Sequence, residues 1–283
     1  MSNILTHIFP DGVTEQFIPI KNGAAAHNAI YRGDDLTEYF DSGEMSTAIA
    51  NGTFKDIFIG DYIIKTVNLP AITYTDKAGT EKTQAAQTYA NVKFYIAGIN
   101  SHIMTGDDSP NHIVLISANA LQRNVSMNPT NDTTGGYLGS DMWRVHMPNW
   151  STAIKTAFGE NHIVKYRDWM SNAIDATAPS GAGNGWVGAS NDWASIDVEV
   201  NIPNEQMIYG GRTFGSSYDC GSFSMQLPFF VHKQHTGGDG LNWCWLRVVA
   251  STQRFARAGA YADALAASYT ASSGGIRPFF LLY

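Results

Sequence analysis

The last ten residues given, "GGIRPFFLLY" (274–283), set the problem. Chain ends fray and are ordinarily polar, yet Ile276, Phe279, Leu281 and Tyr283 call for burial. The pattern predicts a final strand lying inside a sheet. Arg277, fixed against Pro278, would use its planar donor fork on loop carbonyls or a carboxylate. Upstream, "WCWLRVVAST" (243–252) reads as a second buried strand. Between the two lies "ARAGAYADALAASYTASSGG" (256–275), with alanine at 256, 258, 260, 262, 264 and 266. A period of two is the mark of extended backbone. Alanine's helix propensity is the competing reading, but a helix would scatter Arg257, Tyr261, Asp263 and Leu265 without making an apolar face. The alternation therefore predicts inward alanines and an outward set, Arg257, Tyr261 and Asp263. With Tyr269 these form a candidate ligand-binding surface of the adaptable aromatic kind. The alternative is a Gly/Ala-rich loop that packs on a neighbouring subunit.

Composition narrows the partners. The chain has 283 residues, enough for a sizeable core. Only 15% of it is charged, well under the usual quarter, so the surface is neutral and polar. A net charge of −7 argues against a phosphate-backbone binder, and no nucleic-acid partner is expected. No run reaches the length of a membrane-spanning helix, so no membrane insertion is expected. "MSNILTHIFPDG" lacks a basic start and signal core, so synthesis in a cytoplasm without the usual export route is expected. Two cysteines, Cys220 and Cys244, either pair or stay reduced, and make neither a disulfide scaffold nor a zinc site.

Along the chain, residues 1–45 show short apolar clusters broken by Gly, Asn and Asp, and read as a separate arm for attachment or oligomerisation. "SGEMSTAIANG" (42–52) is a short helix between Ser42 and Gly52. From 46 to 121 strands dominate: one through Phe54, Ile57, Ile59 and Tyr62–Ile64, then 71–74, "NVKFYIAGI" and "HIVLISANAL", with "DKAG" (76–79) as a turn. Residues 140–174 read as two helices. The first has Ser140 as cap, a break at Pro148 and a stripe of Trp150, Ile154 and Phe158 ended by Gly159; the second is "KYRDWMSNAI" (165–174). From 175 to 283 long Gly/Ser/Asn loops separate short strands, the mark of an α+β domain with a binding surface. All seven tryptophans fall between 143 and 245. Core anchoring of loops accounts for most of them, and carbohydrate stacking is the sharper alternative.

The order Trp245-Leu246-Arg247, variable segment (248–275), then Gly275-Ile276-Arg277-Pro278 resembles the C-terminal half of C-type-lectin-like domains in phage and prophage structural proteins. These are distant from the sulfatase-modifying-factor type and from retroelement-diversified receptor-binding proteins. "AHNAIYRGDDL" (26–36), "GTFKDIFIGDYI" (52–63), "TTGGYLGSDMW" (133–143), "NEQMIYGG" (204–211) and "MQLPFF" (225–230) are similar to members from gut-bacterium phages. The stretch 65–89, where such proteins have a compact hairpin, and Val248, where an acidic residue often follows the arginine, depart from the pattern. The cysteine context of the formylglycine-generating enzymes is missing, so that activity is not carried over. The resemblance implies a C-type-lectin-like domain over 46–283 whose first and last strands pair. It further implies a non-enzymatic virion component, part of head or tail, with no cofactor. It would be a homo-oligomer, a trimer, held to other virion proteins by its arm and adhering to a cell-surface glycan or protein.

Rival readings stay open. A glycan-active enzyme would use Asp197, Glu199 or Glu205, and a carbohydrate-binding module would need a calcium site of Asp, Glu and Asn oxygens. The preferred use of Glu205 is an ion pair with Arg247 or Arg277. "HKQH" (232–235) lacks a third metal ligand, so no metal is expected, and "RGD" (32–34) is a chance tripeptide.

Overall fold

Period-two runs and glycine-marked turns build most of this chain into strands. The computed structural model describes residues 5–8, 14–17, 24–102, 110–180, 188–216, 218–219, 225–232, 243–259 and 267–283. Strands β1 (Leu5–Ile8) and β2 (Thr14–Phe17) form an antiparallel pair of their own. Three short helices follow: α1 (Ala24–Asn28), α2 (Thr37–Asp41) and α3 (Glu44–Ala50). Next come β3 (Tyr62–Leu69), the hairpin β4 (Ile72–Thr75) and β5 (Glu81–Gln84), then β6 (Gln87–Ile99), β7 (Ile113–Ser117) and β8 (Gln122–Val125). A π-helical turn, Met142–His146, leads into α4 (Met147–Phe158). Strands β9 (Tyr166–Ile174), β10 (Ser190–Val198) and β11 (Val200–Asn201) precede α5 (Glu205–Tyr209) and α6 (Pro228–His232). The chain closes with β12 (Cys244–Ser251), β13 (Arg254–Ala258), β14 (Ala267–Tyr269), β15 (Gly274–Ile276) and β16 (Phe279–Leu282). The architecture is mixed α+β, mostly strands with few helices. Among the described residues, no helix is long and apolar enough to cross a membrane.

Two five-stranded sheets organise it, in the orders β11-β16-β7-β6-β3 and β14-β13-β12-β15-β8. The closing strand is interior, as its sequence predicts: all four residues of β16 are buried. Phe94, Phe158 and Phe280 meet edge to face at 4.9–5.7 Å and tie β6, α4 and β16 together. Burying side chains of this size contributes roughly 1.5–3 kcal/mol each. Arg277 links the two sheets: Nε donates to the carbonyl of Ser117 at 2.8 Å and Nη2 to that of Ala118 at 3.2 Å. Tyr283 is the exception to the predicted burial, being 37% exposed one residue past the strand.

Several expectations are corrected. The first and last domain strands do not pair; β16 lies between β7 and β11 while β3 holds the far edge. Residues 54–59 are not strand, since Phe54 and Asp56 take positive φ (47° and 55°); their apolar side chains enter the core from turns. Pro148 breaks nothing, because a proline in the first turn lacks only a donor that would go unused. The π-helical turn absorbs the irregularity instead, with Ser140 Oγ accepting from the Trp143 amide.

Residues 165–174 are strand β9, not a second helix. Nor does an arm end at residue 45. The carboxylate of Asp61 accepts from Arg32 and from the amides of Gly33, Asp34 and Phe58. Leu36, Phe40 and Met45 are core residues. The "RGD" tripeptide is thereby stitched onto the domain.

Candidate functional site

The segment singled out by its alternation begins as predicted. Strand β13 is extended, and Ala256 and Ala258 are wholly buried. Phe255 is buried too, so both faces of β13 are covered and the outward side is narrower than the alternation implies. Arg257 is half-buried and lies over the Trp243 ring at 4.9 Å. In register with Tyr269 on β14, Arg254 sits 3.8 Å from that ring. Two cation–aromatic contacts therefore mark where β13 and β14 leave the sheet, each worth about 0.5–1 kcal/mol when exposed. Tyr269 is 40% exposed. Tyr261 and Asp263 lie outside the described residues, as does Cys220; Cys244 is a buried free thiol whose ionisation burial pushes up.

Beneath this rim the motif strand is fully buried. All eight residues of β12 are inside, and Cys244 pairs in parallel with Gly275. Trp245 donates from Nε1 to the carbonyl of Val125 at 2.8 Å and packs edge-on to Trp243 at 4.7 Å. Trp150 and Trp193 likewise spend their N–H groups on Gln122 and Asp219. Anchoring accounts for these rings, as predicted, whereas Trp169 is 44% exposed.

Arg247 pairs with Asp168 of β9 at 2.5 Å, both side chains being sealed from solvent. Burial works against the guanidinium charge, but Asp168 more than restores it, and the Arg247 pKa is raised. Glu205 is thus not the partner of Arg247 or Arg277. Its carboxylate accepts from the backbone amides of Thr213, Phe214 and Gly215 at 3.0–3.1 Å. Burial raises its pKa against those three donors. Asp219 closes the same loop, accepting from the Ser216 amide and the Trp193 indole, and burial pushes it up to about 6. Together the two acids hold the loop through backbone donors that would otherwise be buried unpaired.

The remaining acids named from sequence are also engaged. Asp197 pairs with Arg167 and Lys165, and the Arg167 hydrogen bond lowers its pKa. Glu199 accepts from Ser151 and Lys155 at 2.8 and 2.7 Å; burial raises its pKa, but these partners outweigh that and hold it low. His232 ends α6 and contacts the Asn28 carbonyl, and no metal-binding cluster of His, Cys, Asp and Glu occurs among the described residues.

Sequence reasoning missed Asp168 and Asp219. An Asp on the apolar phase of a period-two run, "YRDWM", was the available signal for the first; nothing local marks the second. Set against protein-family models, curated proteins and solved structures, the chain matches none.

Proposed function

We propose that this chain is a non-enzymatic structural component of a bacteriophage or prophage virion. Its C-type-lectin-like domain would adhere to a bacterial surface glycan or protein. The observation that carries the reading is the rim of β13 and β14. Two arginines and two aromatic rings are fixed at the point where the variable segment leaves and rejoins a wholly buried motif strand. A rigid base with an aromatic and cationic edge is the physical requirement for a binding surface that tolerates loop variation. The glycan-active alternative is less well supported, because Asp197, Glu199 and Glu205 are each tied to structural partners. Attachment to the particle, and assembly as a homo-oligomer, would fall to residues ahead of 24, where β1 and β2 pair only with each other.

The test is adhesion of the labelled full chain to a panel of bacterial cells, with Arg257→Ala/Tyr269→Ala as the variant. Binding should fall while the melting temperature barely moves, since exposed substitutions usually cost under about 0.5 kcal/mol each. Equal adhesion by the variant removes the rim from the function. Adhesion to no cell in the panel removes the adhesin reading.

A further inference from the structure

Away from the rim, a polar pocket of about 280 Å³ opens between the β4–β5 hairpin, β8 and the π-helical turn. Its chemistry is set by a relay. The Trp150 indole N–H can only donate, and it donates to Gln122 Oε1 at 3.0 Å. That leaves the Gln122 amide nitrogen to donate to Gln84 Oε1 at 2.8 Å. The orientation of Gln84 is therefore fixed, and its Nε2 donor is buried at the pocket with no hydrogen-bond partner. His146 also lines the pocket. It is 95% buried, its Nδ1 has no hydrogen-bond partner, and its ring meets Tyr74 edge-on at 5.8 Å. Burial lowers the His146 pKa to about 4, so the imidazole is neutral at physiological pH. Two buried polar atoms left dry would cost about 1–3 kcal/mol apiece, so this pocket takes up something polar.

We propose that this pocket binds one neutral sugar ring, with Gln84 Nε2 donating to one hydroxyl and His146 Nδ1 exchanging a hydrogen bond with another. A hydroxyl both donates and accepts, which suits a fixed amide donor beside an imidazole nitrogen of either tautomer. The other walls are polar side chains such as Asn124 and Ser126, which leave nothing for an apolar ligand. Arg123 is the pocket's one permanent cation. Asp141 and Asp76 act on the opposite wall, where they add to burial in raising the Tyr74 pKa, so no anion is selected. The volume admits a single ring, below the usual range for larger ligands. This names a ligand class within the adhesion reading and rests on that reading only for its biological use.

The experiment is a titration of the full chain with a panel of free neutral monosaccharides: glucose, galactose, mannose, N-acetylglucosamine, fucose and rhamnose. The readouts are the His146 imidazole and Gln84 amide resonances. At least one sugar should shift both saturably, and Gln84→Leu should weaken that sugar about tenfold, the worth of one hydrogen bond. Gln84→Glu, which keeps the shape and removes the donor, should do the same and serves if the leucine variant does not fold. Absence of any saturable shift across the panel overturns the proposal, as does a shift that both variants leave intact. A chain that adheres to cells equally well with Gln84→Glu, and whose His146 no sugar shifts, loses the pocket and keeps the adhesin. A chain that binds the sugar but adheres to no cell does the reverse.

Discussion

Removing one member of the Arg247–Asp168 pair should harm the fold far more than removing both. The charges stand 2.5 Å apart, with side-chain exposures of 1% and 0%. At an effective dielectric of about 20 their attraction is roughly 7 kcal/mol. Desolvating the two ions costs several kcal/mol each, so the pair nets close to zero. Arg247 gains little beyond the charge, since its Nε and Nη2 have no hydrogen-bond acceptor among the described residues. Asp168→Leu should therefore strand a buried guanidinium and lower stability by about 3–5 kcal/mol. That is a third or more of a typical domain's total of about 5–15 kcal/mol. Asp168→Leu/Arg247→Met, apolar on both sides, should return to within about 1 kcal/mol of the parent or exceed it. Urea unfolding at neutral pH, compared at unchanged m, measures both. If Asp168→Leu does not accumulate, recovery of a cooperative transition in the double variant carries the same information. A single variant costing under about 1 kcal/mol, or a double variant costing the sum of the singles, refutes the reasoning.

Three further outcomes are expected. Asp219 is raised to about 6 in the fold, above the ordinary carboxylate value near 3.9 that it regains on unfolding. Its burial cost is therefore present above pH 6 and disappears as pH falls toward 4. Chemical denaturation between pH 7 and 5 should show a stabilising contribution on acidification of up to about 3 kcal/mol, which Asp219→Asn flattens. Ala258→Leu should destabilise by roughly 1–3 kcal/mol through overpacking, because Ala258 has no exposed surface; an unchanged melting temperature would place that side chain outside the core. Deleting 276–283 removes β16 from between β7 and β11, and loss of the cooperative melt is the result expected by calorimetry.

Local pattern determined a good part of this protein by itself. The buried closing strand, the "DKAG" hairpin turn, the wholly apolar β7, the stripe on α4 and the extended course of β13 each follow from side-chain periodicity and turn chemistry, which act over a few residues. The carbonyl-bonded role of Arg277 was legible too, since a rigid fork beside a proline has few other uses. What tertiary structure alone decided is where polar groups found partners. In "YRDWM" the buried phase carries Asp168 and the exposed phase Trp169, so hydropathy runs backwards. The segment looks helical until Arg247, distant in sequence, supplies the charge that lets an aspartate go inside. Glu205 was expected to seek an arginine and instead holds three backbone amides, because the fold brings a loop over it. The pocket at Gln84 and His146 depends on a relay through residues 84, 122 and 150, and no local pattern records such a chain. Periodicity reports which face a residue occupies; only packing reports what waits there to satisfy it.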